Sequence, residues 1–450
     1  MTGHLRADDR FGWHRRVLKL ALPIVLANLT QPILGAVDTA VAGHLHGAAD
    51  LGGVALGGLF FNFVFWGFGF LRMGTTGLVA QAFGADDRHA LRSTVARALL
   101  LALVIGIAVL VVQSPLIRYA IAAIGGSDEV QRTARAYCVA RIGSAPFALA
   151  NYVVLGYLLG TQKVRIALTV QVLINAVNVV AVLAYVYGFG WGVAGIGAAT
   201  ATADTLGLGF GALVLWCARP RGLPPLRIAT IVDPHALKQL VAINRDIFLR
   251  TLCLLGSFGW FAHLGATQGD TVLAANALLL NFQTFMAYGL DGFAQAAEAL
   301  VGAAIGARDR HAFRQAVRVT LLWSAVGAAG FSVVYGLGGT WIIDRLTDDP
   351  AVRRAAYTFL PWAALSPVIS VWGFLLDGVF IGATRTRELM RAMVVSLGVF
   401  LAASSLLVAP FANHGLWVAM LLFMASRGLA LSPLVPRIAA AIRPSVASVP

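Results

Sequence analysis

The stretches Gly84-Ala-Asp-Asp-Arg-His-Ala-Leu-Arg92 and Gly306-Ala-Arg-Asp-Arg-His-Ala-Phe-Arg314 decide the fold. They agree at seven of nine positions and stand 222 residues apart (306 − 84 = 222). The same offset carries Leu51 onto Leu273, Gly156 onto Gly378 and Gly160 onto Gly382. A chain of 450 residues therefore reads as two copies of one unit. Around each copy, long apolar runs alternate with short breaks rich in charge, glycine or proline.

Twelve such runs lie near 17–41, 53–83, 91–113, 133–158, 165–187, 191–217, 238–265, 270–305, 313–340, 354–381, 389–410 and 414–440. A helix needs about 20 apolar residues, at roughly 1.5 Å each, to cross the hydrocarbon core. The composition agrees: 59% of residues are hydrophobic and 12% charged, against about 25% charged in soluble domains. The expected fold class is an all-α polytopic membrane protein with twelve transmembrane helices in two six-helix lobes. Six spans per copy is an even number, so the copies share an orientation. That makes a parallel pseudo-two-fold repeat, an architecture in which transporters place a site between the halves. The expected organisation is a tail over 1–16, a lobe over 17–217, a linker over 218–237, a lobe over 238–441 and a tail over 442–450. The second and eighth runs are too long for one straight span, which predicts tilt or a kink.

The net charge is +14, carried by 31 arginines and by Lys19, Lys163 and Lys238. These residues sit in short breaks between apolar runs, so they mark membrane orientation and not nucleic-acid binding. Arg15, Arg16, Arg88, Arg92, Lys163, Arg165, Arg308, Arg310, Arg385 and Arg387 fall on one side, while the short loops near 44–50, 188–190, 266–270 and 411–414 lack Arg and Lys. The positive-inside rule then places both termini in the cytoplasm. No Gly-Lys-Ser/Thr occurs, so no phosphate-binding loop for an ATP-driven pump is expected on this chain. Cys138, Cys217 and Cys253 lie in apolar runs without metal-ligand spacing and read as small buried hydrophobes. The first sixteen residues are polar, and no cleaved signal is expected.

Polar residues inside spans cost energy unless they face a cavity or a partner. In the eighth span Asn281, Thr284, Tyr288, Asp291, Gln295 and Glu298 recur at three, four, three, four and three. That is one stripe about 26 Å long, read as a cavity wall; helix–helix hydrogen bonding is the plainer alternative. The tenth span adds Ser366, Ser370, Gly373 and Asp377 on one face. The first span carries Asn28, Gln31, Gly35 and Asp38 on one face, with Pro23 and Pro32 breaking its ladder. Gln171, Asn175 and Asn178 share a face of the fifth span, and Thr200 and Asp204 a face of the sixth. Asp246 and Arg250 are four apart and are expected to pair.

Val37-Asp-Thr-Ala-Val-Ala-Gly-His-Leu45 resembles the first-span signature of multidrug and toxic compound extrusion (MATE) transporters. Phe70-Leu-Arg-Met-Gly-Thr-Thr-Gly-Leu-Val-Ala-Gln-Ala-Phe-Gly84, Asn244-Arg-Asp-Ile-Phe-Leu-Arg250, Tyr288-Gly-Leu-Asp-Gly-Phe293 and Leu376-Asp-Gly-Val-Phe-Ile-Gly-Ala-Thr-Arg385 resemble its DinF-like branch. The resemblance implies two lobes, alternating access, and export of cationic or amphipathic compounds against inflow of H⁺ or Na⁺. It implies proton and drug handling at Asp38, with Asn175, Asn178 and Thr200 as polar neighbours. The family often has a second acid where this chain has Val182, so Asp204 is the candidate substitute. A sodium site in another branch uses acids on the seventh and tenth spans. Asp377 matches the tenth and nothing matches the seventh, which favours H⁺.

The expectation is thus a proton-coupled exporter without a cofactor or metal, acting as a monomer in a bacterial inner membrane and not binding nucleic acid. A Na⁺-coupled exporter and a lipid-linked precursor flippase are the alternatives. An intramembrane enzyme would need a nucleophile–base pair or a metal cluster in the spans, and the sequence offers neither.

Overall fold

A computed structural model describes residues 10–45, 47–218 and 226–443. The expectations for residues 1–9, 219–225 and 444–450 lie outside the described residues, as does His46. The helices are α1 (Arg10–Gly43), α2 (Ala48–Gly67), α3 (Phe70–Gly84), α4 (Arg88–Val111), α5 (Gln113–Ile124), α6 (Asp128–Ile142), α7 (Ala145–Gly160) and α8 (Val164–Leu183). They continue with α9 (Gly192–Ala218), α10 (Ile228–Ile231), α11 (Pro234–Ala266), α12 (Asp270–Gly306), α13 (Arg310–Leu346), α14 (Pro350–Gly382), α15 (Thr386–Leu431) and α16 (Val435–Ala441). Among the described residues there is no strand.

Eight of the helical segments among the described residues are long and apolar enough to cross a membrane, or nine if α6 and α7 form one bent span. Helices α1 and α12 are also long enough, at 34 and 37 residues. The helix α15 holds two rods, joined at Ala412, whose φ of 47° and ψ of −128° break the helix beside Pro410. Nine spans, plus α1 and α12, plus the second rod of α15, make the twelve-helix architecture.

The repeat is written in the backbone. Asp86 (φ 53°) pairs with Arg308 (φ 55°), and Gln162 (φ 59°) with Thr384 (φ 54°), each across the 222-residue offset. These residues hold the left-handed conformation that ends one helix. After the first of each pair, Asp87 and Asp309 cap the next helix by accepting the Ala90 and Ala312 amides at 2.8 Å. Close packing repeats too. A Cβ on Gly156 would stand 2.8 Å from the Arg72 carbonyl oxygen, and one on Gly378 would stand 2.1 Å from that of Ala294.

Three local features depart from the expected spans. The second span is broken at Phe68-Gly69, while the eighth runs unbroken from Asp270 to Gly306. The fourth span bends by 57° between α6 and α7, where Gly143-Ser144 precedes Pro146, a residue that starts a helix well and continues one badly. The loop expected over 114–131 contains α5, an amphipathic helix seated through Ile117 and Ile121. Cysteine burial is also uneven: Cys138 is buried, Cys253 is half-buried, and Cys217 is exposed, contrary to the expectation.

The chain divides into two compact units, one of residues 29–82 and 87–244, the other of 1–28, 83–86 and 245–450. In the first, Phe61, Tyr137, Cys138, Val182 and Ile196 form the apolar core. In the second, Phe261, Phe282, Phe400, Trp417 and Phe423 do so. The start of α1 belongs to the second unit: Asn28 donates to the Tyr288 carbonyl at 3.2 Å, and the Trp323 indole donates to His14 Nδ1 at 3.1 Å.

Candidate functional site

In the unit of residues 29–82 and 87–244, the polar groups of α1, α6, α8 and α9 form a network. Asn178 Nδ2 donates to Thr200 Oγ1 at 3.0 Å, tying α8 to α9. Asn175 Nδ2 donates to Thr30 Oγ1 at 2.8 Å, tying α8 to α1, and Gln171 Nε2 donates to Asn175 Oδ1 at 3.2 Å. Asp38 is 8% exposed, and its Oδ1 is buried without a hydrogen-bond partner. Asn178 Oδ1 is likewise buried without one. Unsatisfied buried acceptors are costly and mark places where a proton, cation or water binds.

Asp204 sits one turn beyond Thr200 on α9. Its Oδ2 accepts from Ser144 Oγ at 2.9 Å, and its carbonyl accepts from Asn151 Nδ2 at 2.8 Å. The bend between α6 and α7 presents Ser144 to α9. Arg141, on the last turn of α6, acts electrostatically on both Asp38 and Asp204. Its Nη1 donates to Tyr137 Oη at 2.7 Å, and its guanidinium stacks 4.3 Å from the Phe61 ring centroid. A Cβ on Gly197 would meet the Tyr137 carbonyl oxygen at 2.5 Å, so that glycine lets α9 approach α6 closely. Sequence reasoning assigned a role to neither Arg141 nor Ser144. The signal for both was the Gly143-Ser144-Ala-Pro146 break.

Val182, where an acid was missing, is fully buried in the apolar core one turn from Asn178. Val182 thus offers no polar group, whereas Asp204 bonds to Ser144.

In the other unit, Asp377 of α14 is 6% exposed and lies between two arginines. Its Oδ2 accepts from Arg427 Nη2 at 2.5 Å and also from Arg250 Nη2. Arg427 is further enclosed by the Phe374 and Phe423 rings, at 5.3 and 6.0 Å. The expected Asp246–Arg250 pair does not form. Arg250 turns to Asp377, while Asp246 takes the exposed Arg245 at 2.8 Å and Thr386 Oγ1 at 3.4 Å. The sequence rule failed because both Asp246 and Asp377 are buried, and packing rather than spacing along one helix decides which of them meets Arg250.

The α12 stripe is graded along its length. Asn281 and Thr284 are exposed, Tyr288, Asp291 and Gln295 are half-buried, and Glu298 is 2% exposed. Asp291 acts electrostatically on Arg427 and on Tyr288, which joins the stripe to the arginine pair. A second polar line on α12 escaped sequence reading because its spacing is seven residues. Asn276 exchanges two 2.8 Å hydrogen bonds with Asn413 and accepts from Trp417, and Gln283 donates to Ser366 at 2.6 Å. These side chains are buried and satisfied, so they hold helices together. Ser366 and Ser370 of the tenth-span face thus belong to packing, and Gly373 makes room for Arg427.

Comparison with known proteins follows this geometry. The MatE family matches residues 23–186 and again 247–406, one match per repeat. The DNA damage-inducible protein F of Escherichia coli (strain K12) is 42% identical over 430 residues, covering 95% of this chain and 92% of that protein. A probable multidrug resistance protein NorM of Geobacillus kaustophilus is 26% identical over 437 residues, covering 94% of each. A MOP superfamily transporter from Pyrococcus furiosus has the same fold, with a TM-score of 0.86 at 17% identity, covering 96% of this chain and 97% of that one. A MATE protein crystallised in a bent conformation gives a TM-score of 0.85 at 18% identity, covering 96% and 98%. With both repeats matched and a relative this similar along nearly the whole length, the chain belongs to the MatE family, whose members are membrane transporters and not enzymes.

Proposed function

We propose that this protein is a proton-coupled multidrug exporter of a bacterial inner membrane. It exchanges organic cations or amphiphiles for H⁺ by alternating access, as a monomer with both termini in the cytoplasm. The observation that carries the reading is Asp38, a buried carboxylate with one oxygen lacking any partner, on which Arg141 acts electrostatically. Such a group binds a proton or an organic cation and is poorly stable empty, so the two ligands compete for one charge. One elementary charge crossing 100 mV releases about 2.3 kcal/mol, enough for a gradient of tens-fold at about 1.4 kcal/mol per tenfold.

The case against Na⁺ is the state of Asp377. Two guanidinium groups bond its Oδ2, and arginine keeps its charge, so a metal cation at this carboxylate would meet two fixed positive charges. The case against a flippase for anionic lipid-linked precursors is the acidic character of the α12 stripe, which bears Asp291 and Glu298. The test is efflux of a cationic dye from proteoliposomes under a pH gradient or a Na⁺ gradient, imposed separately. Efflux driven by the pH gradient is expected. Efflux driven by Na⁺ at clamped pH, with none driven by H⁺, would refute the reading.

A further inference from the structure

The C-terminal unit holds a cavity of about 510 Å³ at the junction of α14, α15 and α16, lined by none of the acids discussed above. Its polar wall carries Arg385, Arg391, Arg437 and Glu388. Arg385 and Glu388 form a partly exposed pair at 3.4 Å, so three cations and one anion leave a net charge of +2. Arg391 and Arg437 are exposed, and no acid balances them within the cavity. The rest of the lining is apolar. Phe380 and Ile438 are buried and form the floor, while Val395, one turn beyond Arg391 on α15, is 59% exposed. One open cavity thus offers two spare guanidinium groups and, about 6 Å along the helix, an apolar exit on the outer flank of a span.

The fold does not need this charge. The sister repeat builds the same turn, with Gln162 in the left-handed conformation that Thr384 adopts. There the position of Arg391 is held by Thr169 and that of Glu388 by Ile166, at the same offset of 222. The pocket also lies at the end of the spans that the arginine pattern assigns to the cytoplasmic face, where anionic headgroups concentrate and basic pockets between helices receive them.

We propose that this cavity is a binding site for an anionic phospholipid. Arg391 and Arg437 hold the phosphate in charge-assisted hydrogen bonds, and an acyl chain leaves past Val395. A soluble phosphate would use the arginines and leave the apolar wall uncovered; a zwitterionic lipid would cover the wall and bring an ammonium group to the arginines.

The test is native mass spectrometry of the detergent-purified protein titrated with phosphatidylglycerol, with phosphatidylcholine and with glycerol phosphate. Wild type should retain one phosphatidylglycerol that the Arg391→Gln/Arg437→Gln variant binds on the order of thirtyfold more weakly. The Arg391→Lys/Arg437→Lys variant, which keeps the charge, should lose less. An Arg308→Gln/Arg310→Gln variant, altered outside the cavity, should bind as wild type. Equal retention by wild type and the Gln variant would overturn the proposal. So would equal retention of phosphatidylcholine, or displacement by glycerol phosphate at matching concentration. Both side chains are exposed, so their loss leaves the core packing intact.

Discussion

Replacing Asp377 by asparagine removes one negative charge from between two buried arginines. The side chains of Arg250, Asp377 and Arg427 are 8%, 8% and 2% exposed, so water screens this cluster little. Removing one partner of a buried pair costs about 3–5 kcal/mol, because the surviving charge stays desolvated without compensation. Here two guanidinium groups survive, and Arg427 is walled in by Phe374 and Phe423. Asp291 is the remaining acid that acts on Arg427, and it sits half-exposed on another helix. The loss for Asp377→Asn is therefore expected at the upper end, about 4–5 kcal/mol. The assay is equilibrium unfolding of the purified protein in mixed micelles. The triple variant Asp377→Leu/Arg250→Met/Arg427→Leu, which removes every charge of the cluster, should recover most of that loss, since apolar replacements of buried ion clusters are often neutral or stabilising. An Asp377→Asn variant within about 1 kcal/mol of wild type would show that the cluster is solvated in the working protein and that its arginines are not committed to Asp377.

Asp38→Asn should abolish dye efflux driven by a pH gradient while leaving the protein folded, and Asp204→Asn should reduce it less; full efflux in Asp38→Asn would move the proton site to another acid. Cysteines at Thr284, Asp291 and Gln295, in a background lacking Cys138, Cys217 and Cys253, should label with water-soluble thiol reagents far faster than cysteines at the buried Leu290 and Ala297; equal rates would remove the α12 stripe from any water-filled cavity. Gly382→Ala places a Cβ 2.4 Å from the Glu298 carbonyl oxygen and should lower the melting temperature clearly, whereas Gly398→Ala, with nothing within 4 Å, should leave it unchanged or raise it slightly. Val182→Asp puts a carboxylate at a fully buried apolar position and should cost at least about 2 kcal/mol of stability in the same unfolding assay.

What was legible in the sequence was what a membrane and a helix impose locally. Lipid demands long apolar runs, so the twelve spans could be counted, and helical periodicity put Asn178 beside the residues that share its face. The offset between Gly84 and Gly306 foretold the repeat down to the left-handed residues Asp86 and Arg308, because a helix stop is encoded within a few residues. Tertiary structure decided which charges meet. Arg250 lies four residues from Asp246 and 127 from Asp377, yet it bonds to Asp377, since a buried ion takes the partner that packing brings and not the one that spacing offers. The same holds for Asp204. Its link to Ser144 exists because α6 and α7 meet at 57° and turn that serine towards α9. No periodicity within one helix reports an angle between two.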